Sequence, residues 1–258
     1  MKRPSFHWWR TVCFLIPAIS VYTIVLGTLS ILSTLVDRRG YAAHWCARVW
    51  SRLILATTGV QVQVVGLEHV TEGQTYVFIS NHQSIYDIPV IFASLPFQLR
   101  IIAKASLGDV PFLGWHLRRA GHLLVDRRHP DRAGILNRWR GLVAGRISLI
   151  IFPEGTRSLD GRVGRFRAGS FLLALEAGLT VVPLSISGSI HVMKKGRVMT
   201  RPGHVTLVVH EPVPAARIEN PTVAHARELA ARIERIVRAG VDPASRQSAV
   251  QAESPSVV

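Results

Sequence analysis

Six residues, Ile147-Ser148-Leu149-Ile150-Ile151-Phe152, constrain the fold more than any other stretch. They make a continuous apolar run of strand length. A strand with no polar face to offer water must be covered on both sides, which is the habit of parallel sheets carrying helices on each face. The rest of the chain fits that requirement. Strands are expected at 60–66, where Val60-Gln61-Val62-Gln63-Val64 alternates strictly, and at 76–80, 99–103, 122–125, 181–184 and 204–210. Helical patterns fall between them at 88–93, 111–115, 131–144 and 170–178, and a last amphipathic helix covers 222–240. Strands alternating with helices predict an α/β fold: a largely parallel central sheet flanked by helices. In such sheets ligands gather at the C-terminal ends of the strands.

Before the sheet comes a different kind of segment. Residues 11–36 contain no charged side chain, and the run is long enough to cross a bilayer, which takes about 20 apolar residues. Lys2, Arg3 and Arg10 precede it; Arg38 and Arg39 follow. A cleaved signal peptide is disfavoured, because the run exceeds an h-region of about 7–15 residues. A single spanning anchor and a helix broken near Pro17 or Gly27 that dips into one leaflet both remain, since cationic flanks on both sides suit either. A second helix is expected at 41–58, either with Trp45 and Trp50 at a lipid–water interface or as an ordinary helix packed on the core. The expected organisation is N-terminal membrane-embedded helices over 1–58, an α/β domain over 59–240, and a disordered Ser/Pro/Gln/Ala-rich tail over 241–258.

Composition narrows the partners. The 258 residues carry 31 Lys and Arg against 16 Asp and Glu, a formal charge of +15, which favours anionic partners. With 48% hydrophobic residues the balance favours a membrane surface over nucleic acid. Two cysteines, Cys13 and Cys46, make no disulfide framework, and no Cys/His cluster has zinc spacing. His204 and His210 flank an apolar strand and share a face by period two, but a metal site there is disfavoured.

Two polar segments stand at strand ends. Asn81-His82-Gln83-Ser84-Ile85-Tyr86-Asp87 follows the strand at 76–80. A histidine suits proton transfer near neutrality, and an aspartate can hold its ring in one tautomer. Five residues put the two about 140° apart on a continuous helix, so they meet only if the backbone turns between them. Pro89 supports such a turn. The alternative is a strand-to-helix junction with Asp87 as a helix cap. Phe152-Pro153-Glu154-Gly155-Thr156-Arg157-Ser158 follows the most apolar strand. Gly155 permits a tight turn with exposed N–H groups, and Arg157 offers a planar fork of donors for phosphate. The alternative there is a surface turn with a solvated arginine.

Together these segments resemble the glycerolipid acyltransferases of the 1-acylglycerol-3-phosphate acyltransferase family. Residues 81–87 match its N-H-x-x-x-x-D block and 152–158 its F-P-E-G-T-R-S block. Gly121-His122-Leu123-Leu124-Val125-Asp126-Arg127 resembles the intermediate G-x-x-x-x-D-R block, and Val181-Val182-Pro183-Leu184 the final V-P block. The resemblance implies a glycerol-3-phosphate acyltransferase-like domain held at a bacterial cytoplasmic membrane, with its catalytic face towards the cytoplasm. It implies transfer of a fatty acyl group from acyl-CoA or acyl carrier protein to lysophosphatidate, giving phosphatidate. No metal or cofactor is implied, and no nucleic acid; the partners are membrane phospholipids and the two substrates.

By that resemblance His82 and Asp87 are catalytic, Lys104 and Arg157 hold the acceptor's phosphate, and Asn81, Glu154, Gly155, Thr156, Asp126 and Arg127 support the site; the alternative for Asp126 and Arg127 is a structural ion pair. Glu154 would either hold Arg157, hydrogen-bond a substrate hydroxyl, or be a turn carboxylate. N–H groups near Gly155 are one option for the oxyanion. Phe112, Leu113 and Trp115 are candidates for an acyl groove. Two departures touch the acceptor: Ser106 stands where relatives carry an acid, and Arg167-Ala168-Gly169 keeps one of two cations. They keep open another lysolipid or amino-acid-lipid acceptor. A membrane-associated binding protein and a hydrolase are the competing classes.

Overall fold

A computed structural model describes residues 5–37, 39–126 and 132–241. Seven strands form one sheet: β1 (Val60–Val65), β2 (Val77–Ser80), β3 (Leu99–Lys104), β4 (Leu123–Val125), β5 (Ser148–Ile151), β6 (Val181–Ser187) and β7 (Gly203–Val209). Their order across the sheet is β1-β7-β6-β2-β5-β3-β4. β6, β2, β5, β3 and β4 run parallel; β7 is antiparallel to β6, and β1 follows β7. Five C-terminal strand ends therefore open on one edge of the sheet.

The sheet is covered on both faces, as the apolar run in β5 requires. Phe78, Ile150, Val182 and Leu207 pack towards α2 (Tyr41–Thr58), α3 (Asp87–Ser94) and α4 (Leu113–Arg119). Val77, Ile79, Leu149 and Ile151 point the other way, onto α5 (Arg132–Ala144), α6 (Leu172–Ala177) and α8 (Val223–Val241). The period-two alternation of the strands sets this division. β6 runs three residues beyond the expected end at 184. Ser185, unpromising in a core strand, is tolerated because its hydroxyl bonds His210 Nε2 at 2.7 Å and the Val237 carbonyl at 2.9 Å. That bond also occupies His210, and His204 lies exposed at the other end of β7. A short helix, α7 (Ser189–Val192), follows β6 and was not anticipated.

The N-terminal segment is one helix, α1 (Phe6–Ser33), long and apolar enough to cross a membrane. It is not broken at Pro17 or Gly27. A π-helical turn, Thr11–Leu15, precedes Pro17 instead, and the proline takes its place in the first turn of the α-helical segment that follows. α1 lies against the domain along its length. Arg10 donates to the Thr58 carbonyl at 2.9 Å, Tyr22 meets Thr57 at 3.1 Å, and Ser30 meets His116 at 2.6 Å. Trp50 turns inwards and donates from Nε1 to Thr23 at 3.0 Å, whereas Trp45 is exposed. The bend between α1 and α2 is stapled to the sheet by Arg100 of β3. Its buried guanidinium donates to the carbonyls of Arg39 at 3.0 Å and Gly40 at 3.1 Å. The expected tail beyond 241 lies outside the described residues.

α7 begins at Gly188, whose φ of +90° is open to glycine and strained for other residues. A Cβ there would stand 2.3 Å from the His204 carbonyl oxygen. Gly188→Ala should lose about 1–3 kcal/mol of stability. A chemical denaturation midpoint equal to that of the parent protein would contradict this.

Candidate active site

Three neighbouring strands, β6, β2 and β5, deliver the central residues. After β2 the chain turns tightly and enters α3 at Asp87. Asp87 is fully buried, and its carboxylate orders the turn. Oδ2 accepts from the backbone N–H groups of Gln83 at 2.7 Å and Ser84 at 2.9 Å, and from His82 Nδ1 at 2.7 Å. Oδ1 accepts from the Ser189 hydroxyl at 2.5 Å. Asp87 does not cap α3, whose N-cap is Tyr86 and carries no side-chain cap bond; its carboxylate instead closes the preceding turn and holds the imidazole. With Nδ1 committed to Asp87, Nε2 is the nitrogen left to act on a substrate. The imidazole also stacks on Phe152, centroids 4.2 Å apart.

Asn81 ties this turn to β6. Its side-chain amide donates to the Ile186 carbonyl and its oxygen accepts from the Ile186 N–H, both at 2.8 Å. Glu154 ties it to the turn after β5. Oε1 accepts from the His82 N–H at 2.9 Å and Oε2 from the Gly164 N–H at 3.0 Å. Burial raises the Glu154 pKa, and those two N–H donors oppose the rise. Of its three expected roles, Glu154 takes the one nearest a turn carboxylate, because both its oxygens bind backbone. The Ser158 N–H donates to the His82 carbonyl at 2.7 Å. Gly155 adopts φ +73° as expected, but its N–H bonds the Phe152 carbonyl at 3.1 Å and is spent within the turn rather than exposed for an oxyanion. Thr156 is exposed, its hydroxyl 2.7 Å from Lys195 Nζ.

His82 and Arg157 are among the residues that line an apolar cavity of about 250 Å³. Its walls come from α1, α2, α3 and α4, including Leu26, Trp50, Ile88, Phe112 and Leu113. Trp115, expected with Phe112 and Leu113, is half exposed and does not line the cavity; its ring packs at a tilt on Phe112, centroids 5.1 Å apart. Two further histidines, His116 and His122, line the cavity. Burial, reinforced by Arg100, depresses His116 to about 4. Burial also lowers His122, with His116 and Arg100 adding to the effect. Both shifts favour the uncharged imidazole.

Lys104 and Asp126 stand at the ends of β3 and β4. They line a separate, wide cleft with Arg118 and Arg138, divided from the apolar cavity at His122. Lys104 and Arg157 therefore do not line the same cavity. β3 lies two strands from β2, roughly 10 Å along the sheet edge. Arg127 lies outside the described residues. The sequence reading missed Ser189 and Lys195. A serine after the V-P strand carries no spacing signal toward Asp87, and only the neighbouring placement of β6 and β2 makes the contact.

The acyltransferase family matches this chain over residues 61–187. A 1-acyl-sn-glycerol-3-phosphate acyltransferase of Pseudomonas aeruginosa is 32% identical over 78% of this chain and 79% of its own length. A Brassica napus protein of the same name is 33% identical over 79% of this chain. The chain spans 61% of the Brassica protein and 53% of a Chlamydomonas reinhardtii relative. The crystal structure of the 1-acyl-sn-glycerophosphate acyltransferase of Thermotoga maritima superposes with a TM-score of 0.70 at 26% identity, covering 95% of this chain and 98% of that one.

The Ser189 hydroxyl bonds the carboxylate that holds His82, and this geometry predicts that it positions Asp87. Ser189→Ala leaves a buried carboxylate oxygen without its donor and should lower turnover about ten- to a hundredfold. Steady-state kinetics should put the loss in kcat, with KM little moved and Ser189→Thr largely restored. A loss carried by KM alone would refute the assignment.

Proposed function

The chain belongs to the acyltransferase family, and from that premise we propose that it transfers a fatty acyl group from a thioester to the free hydroxyl of lysophosphatidate, giving phosphatidate. The observation that carries this reading is the Asp87-held imidazole of His82 in the lining of an apolar cavity that Arg157 also lines. His82 Nε2 takes the hydroxyl proton as the acceptor oxygen attacks the thioester carbonyl. The C–S bond then breaks, and the departing thiolate recovers the proton from the imidazolium. A thiol's pKa of about 8.5 makes the thiolate a competent leaving group, so little further acid assistance is needed. Asp87 holds the ring and stabilises its cationic form. Ser84 is no rival nucleophile, since its hydroxyl donates to the Met193 carbonyl at 2.7 Å.

Arg157 binds the acceptor's phosphate and so brings the hydroxyl to His82, a contribution of orientation. The apolar cavity takes the acyl chain. Lys104 extends positive charge along the same sheet edge. Either acyl-CoA or acyl carrier protein serves as the donor, and no prosthetic group takes part.

The site works at the cytoplasmic surface of a bacterial inner membrane, with α1 seated in one leaflet. Bonds from Arg10 to Ser30 hold α1 along the domain, so a spanning α1 would drag the domain into the hydrocarbon. The opposite side of α1 exposes Phe14, Val21, Ile24, Val25, Leu29 and Leu32. Those side chains suit insertion from one face.

His82→Ala should lower acyl transfer at least a few hundredfold in a folded protein. Membranes carrying the parent chain, supplied with labelled acyl thioester and an acceptor panel, should label lysophosphatidate; free fatty acid alone would mean a hydrolase. For topology, Ser5→Cys and Arg39→Cys placed separately in a Cys13→Ser/Cys46→Ser background should both react with an impermeant maleimide added from the cytoplasmic side. Protection of one of the two would establish a spanning helix.

A further inference from the structure

Between Glu176 and Glu211 the chain has no acidic residue. Within that span the connection from α7 to β7 carries Lys194, Lys195, Arg197 and Arg201. The connection folds back on itself. The Arg197 N–H donates to the Lys194 carbonyl at 3.1 Å, closing a turn in which Gly196 adopts φ +75°. The Arg201 N–H donates to the Val192 carbonyl at 2.9 Å, so the two ends of the loop meet. Lys194, Arg197 and Arg201 are exposed, and among the described residues none of them makes an ion pair. Val198 follows Arg197 and is 57% exposed. Lys195 differs, because its Nζ turns back to the Thr156 hydroxyl.

The loop is fastened on two sides. On one side the Thr200 N–H donates to the Thr11 hydroxyl at 3.0 Å, in the π-helical turn of α1. Thr11 and Thr200 are both buried. The Ser5 hydroxyl meets Met199 Sδ at 3.4 Å. On the other side the Met193 carbonyl accepts from Ser84, within the turn that carries His82, at 2.7 Å. The loop therefore bridges the N-terminal end of α1 and the catalytic turn. At that end of α1, Phe6, Trp9 and Phe14 are exposed. Exposed cations beside exposed aromatics suit the boundary between anionic headgroups and hydrocarbon.

We propose that the loop 193–201 is a docking surface for anionic phospholipid, with Lys194, Arg197 and Arg201 on the headgroups and Val198 at the acyl boundary. This rests on the seating of α1 in one leaflet and adds a contact of different chemistry. The apolar face of α1 takes hydrocarbon, whereas the loop takes headgroup charge. A charged plane does not require the cations to converge on one point. It requires them to be exposed, unpaired and carried on one closed loop. A membrane fits this loop better than an acidic protein does, because the loop is bonded to the helix that carries the exposed aromatics. Docking then fixes the height of the catalytic turn over the leaflet.

The test delivers the full chain from detergent to vesicles and measures the bound fraction by flotation. The vesicles are phosphatidylcholine alone, or two parts phosphatidylcholine to one part phosphatidylglycerol. Each cation at an anionic surface strengthens binding about fivefold, so the parent chain should favour the mixed vesicles about a hundredfold. The preference should fade as salt is added. Lys194→Gln, Arg197→Gln and Arg201→Gln together should remove most of it, and Lys194→Arg, Arg197→Lys and Arg201→Lys together should keep it. Arg227→Gln, Arg232→Gln and Arg235→Gln remove the same charge from exposed positions of α8, which packs on the other face of the sheet, and should leave it intact. Equal losses in the loop and α8 glutamine variants would overturn the proposal, since the effect would then be one of net charge. A loop variant that keeps the vesicle preference, and is slowed only with acyl carrier protein as donor, would assign the loop to an acidic protein and also overturn it. A parent chain that floats only with the mixed vesicles would remove the seating of α1 and leave the loop contact standing. A parent chain that floats equally with both would do the reverse.

Discussion

A fully buried carboxylate is the constraint on which this site depends. Taking Asp87 out of water costs several kcal/mol unless its oxygens are matched by donors. Four donors meet that need: two backbone N–H groups of its own turn, the imidazole of His82 and the hydroxyl of Ser189. Each of the four fixes something else. The two N–H groups set the turn that breaks the helical spacing between residues 82 and 87. The imidazole bond sets the tautomer. The serine bond sets where α7 begins, and so where the loop to Lys195 leaves the sheet.

The sheet order makes those donors available. β6, β2 and β5 are neighbours running in parallel, so their C-terminal ends place Ser189, His82 and Arg157 side by side. Bonds across those ends are of two kinds. Asn81 copies a strand's hydrogen-bonding pattern onto Ile186. Glu154 bridges backbone N–H groups of two loops. Such contacts leave the imidazole little freedom, and a catalyst that works by proton transfer and positioning depends on that rigidity. In the proposed reaction the mobile part is the lipid, and Thr23, Leu26 and Gly27 of α1 line the cavity proposed to receive it.

Much of this was legible beforehand because it is local. Covered strands demand a two-sided α/β layer, and the alternation of β2 and β5 divides its core. The paired polar segments at strand ends marked the site. Other features were not legible. The continuity of α1 through Pro17 needed a π-helical turn. Trp50 looked like an interface residue by composition, yet a single hydroxyl on α1 draws it inwards. Glu154 had three plausible partners by type, and only the closeness of Gly164 and His82 chose between them.

By itself the sequence determined the fold class, marked the uncharged run at 11–36 and singled out His82 and Asp87 as a candidate pair. These follow from hydrophobic period, run length and residue chemistry, all properties of neighbours along the chain. The tertiary structure decided which groups meet: Ser189 on Asp87, Lys195 on Thr156, Arg167 over Gly155, and Lys104 in a different cavity from Arg157. Those pairings depend on strand order, in which β5 inserts between β2 and β3. No spacing along the chain encodes that order, because it emerges from the packing of the whole sheet.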